Sequence, residues 1–222
     1  MKYIIAKSAL AVLLVSLGAG LATPAAADQT LTFEVLRQGS PIGTHRVTIR
    51  EQGDMRRVDI AIDMAVRFAF VTVYRYTHRA TETWDGHRLV ALDASTDDNG
   101  TRTNVAAKAL AGGLAISGSG GNYVAPADTI PSSYWNKAKL DRTALLDTQS
   151  GKMATTANSL IGPASIEADG RLLNVTKYRV TGDLQAELGY AEDGSWATLA
   201  FEARGASILY RRLGNEQVAQ LR

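Results

Sequence analysis

The chain contains no cysteine. Disulfides are excluded even in an oxidising compartment, and so is a lipid-modified N-terminal cysteine, which leaves stability to a packed core. Histidine is scarce: His45, His78 and His87 show neither His-x-His nor His-x-x-x-His spacing, so they assemble no zinc site. The N-terminal apolar run from Ser8 to Leu21 is about 14 residues long, short of the roughly 20 that a bilayer-spanning helix needs. Cations are scattered, with no basic stripe interleaved with aromatics, which argues against a nucleic-acid partner. The glycine-dense stretch from Gly112 to Gly121 lacks the Lys-Ser/Thr ending of a phosphate loop, and no Gly-x-Ser-x-Gly elbow occurs. Asp97-Asp98-Asn99-Gly100 opens like a calcium loop but has no Glu at the twelfth position. No catalytic residue, metal or cofactor is indicated.

What is present begins with an export signal. Lys2 and Lys7 precede the apolar run, and Thr23, Pro24 and the triplet Ala25, Ala26, Ala27 follow it, in the order of a cleavable secretory signal peptide. Residues 1–27 are read as that peptide, cleaved after Ala27, and residues 28–222 as a single domain released to the periplasm with no transmembrane anchor. Cleavage removes two cations and no acid, so the formal charge falls from +2 to about zero.

From Leu31 onward apolar residues recur at every second position: Leu31, Phe33, Val35; Val47, Ile49; Val58, Ile60, Ile62, Met64. Period two is the signature of strands with one buried face. Asp85-Gly86, Asn99-Gly100, Asp169-Gly170 and Asp193-Gly194 supply residues that tolerate positive φ, as tight hairpin turns require. The expected fold is all-β: a strongly curved antiparallel sheet or open barrel with one or two short helices. One helical turn is expected at Ser132–Asn136, behind Pro131.

One segment carries the functional interest. From Val66 to Trp84 the even positions read Val66, Phe68, Phe70, Thr72, Tyr74, Tyr76, His78, Ala80, Glu82, Trp84, while Arg67, Arg75 and Arg79 take odd ones. A single strand of that length would span about 60 Å, so it must bend sharply or be interrupted. The aromatics either form core or line a cavity on the concave face, with tyrosine hydroxyls, His78 and Glu82 orienting an apolar ligand. Phe68, Phe70, Tyr74, Tyr76, His78, Glu82, Trp84 and Trp135 are the candidate ligand-binding residues. Glu82 is anomalous among aromatics; if buried it needs a partner, Arg102 or another cation.

The motifs Tyr74-x-Tyr76-x-His78, Glu82-x-Trp84-x-Gly86-x-Arg88-Leu89, Asp98-Asn99-Gly100, Pro131 before Tyr134-Trp135, and Gly182-Asp183-Leu184 resemble a family of secreted proteobacterial proteins known only as a domain of unknown function. The resemblance runs from Thr32 to Tyr210. It departs at Leu188-Gly189-Tyr190, where the pair Trp-Tyr is expected. That family is similar to curved-sheet periplasmic proteins related to lipoprotein carriers, whose concave faces hold acyl chains; the resemblance implies a fold more than a function. The reading that results is a non-enzymatic periplasmic protein binding or carrying a lipid or other apolar molecule. The alternatives are an envelope interaction module that pairs with a partner protein through exposed strand edges, and an uncharacterised enzyme in which Glu82, His78 and an arginine converge in a wet pocket.

Overall fold

A computed structural model describes residues 28–220. The signal-peptide reading of residues 1–27 lies outside the described residues. Eight strands come first: β1 (Gln29–Arg37), β2 (Ser40–Gln52), β3 (Met55–Phe68), β4 (Val71–Asp85), β5 (Arg88–Asp98), β6 (Thr101–Leu110), β7 (Gly113–Gly118) and β8 (Gly121–Ala125). A long connection with a 3-10 helix at Lys137–Asp141 leads to β9 (Ala144–Leu146). Five more strands follow, β10 (Met153–Ala168), β11 (Arg171–Gly182), β12 (Ala186–Ala191), β13 (Trp196–Ala203) and β14 (Ala206–Leu213), and then the short helix α1 (Asn215–Ala219).

All fourteen strands form one antiparallel sheet in the order β8-β7-β6-β5-β4-β3-β2-β1-β14-β13-β12-β11-β10-β9. Apart from β8 and β9, strands adjacent in sequence are adjacent in space, and β1 pairing with β14 joins the two meanders. The expected turns form where asparagine, aspartate and glycine allow them: Asn99 and Gly100 take φ of 52° and 94°, Asp169 and Gly170 take 55° and 71°. Both residues of a type I′ turn need positive φ, which is why these dipeptides close hairpins.

The sheet curls but does not close, since β8 and β9 are its ends and do not pair with each other. Loop contacts bridge the gap instead. The β7–β8 turn and β8 are tied to the β9–β10 loop, the turn by Gly120 N–H to the Ser150 carbonyl at 2.7 Å and β8 by Tyr123 Oη to the Gly151 carbonyl at 2.7 Å.

The connection between β8 and β9 crosses the concave face and fills part of it. Tyr134 packs on Trp196 of β13, ring centroids 5.3 Å apart, while Trp135 packs on Trp84 of β4. Tyr190 of β12 donates its hydroxyl to the Tyr134 carbonyl at 2.9 Å. Ser132–Asn136 is not a helical turn, as the sequence suggested. Its backbone is committed to β9, with Ser132 N–H donating to the Leu146 carbonyl, and the helix starts one residue later, with Asn136 as its cap. At the departure from the family pattern, a Cβ on Gly189 would come within 2.7 Å of Thr198 Cγ2, so the glycine lets β12 and β13 pack closely.

Candidate ligand-binding cavity

Alternation places the even residues of β4 on the concave side. Tyr76, His78, Ala80 and Glu82 stand opposite Met64, Ile62, Ile60 and Val58 of β3. The same pleat carries His45 and Val47 of β2 inward, with His45 opposite Phe33 and Ile62. The connecting segment divides this inner surface into two regions of different character.

Toward the β4–β5 turn the space is solid. Glu82 is fully buried, and its Oε2 accepts hydrogen bonds from Trp84 Nε1 at 3.0 Å and Trp135 Nε1 at 2.9 Å. The cation whose charge acts on this carboxylate is Lys139 of the 3-10 helix, also fully buried but in no direct ion pair with it, and not Arg102, which pairs with Asp97 at the surface. Lys139 donates to the Ser132 carbonyl at 2.6 Å and lies over the Tyr134 ring at 4.3 Å. Burial raises the Glu82 carboxyl, against which Ser133, the two indoles and Lys139 act. Burial pushes the Lys139 ammonium down to about 7, with Glu82 opposing.

Toward the opposite end, where the β1–β2, β3–β4 and β13–β14 turns lie, the concave face encloses a cavity of about 480 Å³. Ile62, Met64, Tyr74, Tyr76, Tyr134, Phe201 and Tyr210 are among the residues of its wall, and the exposed residues Val73, Gln149 and Arg204 mark its mouth. The volume falls within the roughly 300–1,000 Å³ of small-molecule sites, and the wall mixes aliphatic and aromatic side chains with polar ones, among them His45, His78 and Asp98.

The polar groups of this wall are short of partners. His45 is fully enclosed by Phe33, Trp196 and Tyr210, and neither ring nitrogen has a hydrogen-bond partner among the described residues. Asp98 Oδ1, also on the wall, is buried and without a hydrogen-bond partner among the described residues. His78 is better served, with Nδ1 2.8 Å from Thr96 Oγ1. Burial lowers His45 to about 3, helped by His78, and burial lowers His78 to about 4. Both imidazoles are therefore neutral near pH 7. Tyr74 is raised to about 12 by burial and then by the Asp98 carboxylate beside it.

The candidate residues thus fall into three groups. Tyr74, Tyr76 and His78 line the cavity. Glu82, Trp84 and Trp135 belong to the solid cluster and do not reach it. Phe68 and Phe70 are not on the concave face: the run from Val66 to Trp84 is a hairpin that turns at Ala69 and Phe70, leaving Phe68 78 % exposed and Phe70 wholly exposed. Glu82 and His78 do not converge on one wet pocket. Among the described residues no three metal-ligating side chains cluster. The sequence reading missed His45, although it shares the parity of the inward Val47 and Ile49, and it missed Tyr134 and Tyr210.

The model of a domain of unknown function, DUF6134, matches residues 33–213, from Phe33 in β1 to Leu213 at the end of β14. The chain belongs to that family. No curated protein matches it. Among solved structures it is similar to a beta-barrel-like protein of another domain of unknown function, DUF1849, from Brucella abortus. Identity is 10 %, the TM-score is 0.55, and the match covers 83 % of this chain and 95 % of the other. At that identity the likeness establishes the barrel-like fold.

Proposed function

We propose that this member of DUF6134 is a non-enzymatic periplasmic protein that binds or carries a lipid or another apolar molecule carrying one polar group. The observation that carries the reading is His45. Its imidazole sits on the wall of a 480 Å³ cavity with both nitrogens unpartnered among the described residues, and a buried polar group without a partner costs about 1–3 kcal/mol. An occupant that presents a hydrogen-bonding group at that depth recovers this energy, while its apolar part covers Ile62, Met64 and Phe201. Because both histidines are held neutral, a neutral polar group or a single donor-acceptor suits the site better than a dianion.

The periplasmic location rests on the signal-peptide reading of residues 1–27. Partnering through strand edges is less favoured, because β8 is five residues long and β9 three, and β9 is further engaged by Pro131 through a parallel bridge. Native mass spectrometry of the protein purified from its own periplasm tests the proposal, together with titration of the delipidated protein with a fluorescent fatty acid. A co-purifying apolar molecule and saturable uptake are expected. A bare polypeptide mass combined with no uptake overturns it.

A further inference from the structure

The β3–β4 hairpin ends in a feature that the cavity does not explain. Its tip reads Arg67-Phe68-Ala69-Phe70-Val71, with Phe68, Phe70, Val71 and Val73 all more than half exposed. Ala69 makes the turn with φ of 52°, without help from glycine. Large apolar side chains gathered at one protruding point mark a contact site. The patch is continuous with the cavity, because Val66 and Val73 at the base of the hairpin line the cavity wall.

Three cations lie at the tip or behind it. Arg67 shares a groove with Arg37 of the neighbouring β1 end, and Arg75 lies on β4. None of these three forms an ion pair among the described residues, although Arg75, bonded through its backbone to Asn99, lies near enough to Asp97 for its charge to help hold that carboxyl down. Arg204 stands over the Tyr74 ring at the cavity mouth, its nearest acid being Asp98 at 3.7 Å.

We propose that this hairpin docks the protein on a bilayer bearing anionic phospholipid. Phe68 and Phe70 enter the interfacial zone, Arg67 and Arg75 bind headgroup phosphates, and the cavity mouth is brought against the membrane. The chemistry of tip and flank selects this occupant. A hairpin tip is convex and narrow, far below the roughly 800 Å² per partner of a stable protein interface. A bilayer interface instead accepts aromatic side chains individually, and anionic lipid adds an attraction of about fivefold for each arginine near the surface. The docking stands on the tip itself; that the surface exchanges ligand with the cavity rests on the proposed function.

Flotation of the mature protein with vesicles of equal parts phosphatidylglycerol and phosphatidylcholine, and with pure phosphatidylcholine, tests it. Binding to the mixed vesicles is expected, and Phe68→Ser/Phe70→Ser should abolish it. Arg67→Gln/Arg75→Gln should weaken binding to mixed vesicles by about 25-fold and leave the neutral ones unchanged. In Phe70→Trp the emission should shift to the blue on adding mixed vesicles. Absent flotation, undiminished flotation of the serine variant, or a self-association that the serine changes abolish would each overturn the proposal. Phe68 is 78 % exposed and Phe70 wholly so, so these variants should fold, and they should take up fluorescent fatty acid in solution as the parent does. That uptake, measured without vesicles, separates failure of docking from failure of the carrier reading.

Discussion

Trp84 and Trp135 meet edge to face, ring centroids 5.7 Å apart at 88°, and both indoles donate to one oxygen of Glu82. One tryptophan comes from β4 and the other from the segment that crosses the sheet. The carboxylate therefore fixes where that segment lands and which part of the concave face it leaves open. A buried ion rarely adds net stability over a well-packed apolar substitute, but removing one partner from such a cluster is severe.

Glu82→Ala should accordingly lower stability by about 3–5 kcal/mol, because two indole N–H groups lose their acceptor and the buried Lys139 ammonium loses the opposite charge that acts on it. Glu82→Gln keeps an acceptor and should lose less. Lys139→Met alone should be destabilising, and the pair Glu82→Gln/Lys139→Met should recover part of the summed loss. Urea unfolding followed by tryptophan emission across this double-mutant cycle measures the coupling, and simple additivity would refute it.

Acid should destabilise the fold through its histidines. His45 and His78 have folded pKa values of about 3 and 4, below the unfolded value of 6.5. The unfolded chain takes up protons first as pH falls, so the stability is full above about 6.5 and is lost progressively below it. At pH 5 each histidine should have removed about 2 kcal/mol relative to pH 8. His45→Phe should abolish its share of the slope in urea titrations at pH 5 and 8, and should weaken fatty-acid binding if the imidazole orients the ligand. An unchanged slope would count against burial of His45.

Arg212 closes the opposite end of the barrel. Its guanidinium pairs with both Asp169 oxygens at 2.9 and 2.6 Å and donates to Ser195 Oγ and the Trp196 carbonyl, tying β14 to the β10–β11 turn and to β13. Lysine cannot reproduce this planar fork. Arg212→Lys is expected to cost about 2–3 kcal/mol and to speed amide exchange at Trp196 and Asp169; protection equal to the parent's would exclude the bracing role.

Gly43→Ala should loosen the β2–β3 pairing beside the cavity. A Cβ there would lie 2.0 Å from the Asp63 carbonyl oxygen and 2.7 Å from Met64 Cα, both backbone atoms with no room to yield. The expected loss exceeds about 2 kcal/mol, with exchange protection falling first at Met64 and Thr44. A wild-type melting temperature would show that the strands can move apart freely.

The sequence by itself determined the antiparallel meander, because alternation and turn chemistry act between near neighbours: Val58, Ile60 and Ile62 had to share a face, and Asn99-Gly100 had to turn. It also singled out Glu82 as a carboxylate in need of a cation. It did not reveal the turn at Ala69, which has neither glycine nor asparagine, and so it kept Phe68 and Phe70 in register with Tyr74 when the hairpin sends them into solvent. The 16-residue β10 was equally hidden, since its alanines, serines and threonines give little hydrophobic alternation. Which inward residues enclose volume was decided only in three dimensions. Trp135 and Lys139 come more than fifty residues after Glu82, and the path they force on the crossing segment fills one half of the concave face and leaves the His45 half open. No local pattern encodes that choice, because it depends on where a long connection packs after the sheet has curled.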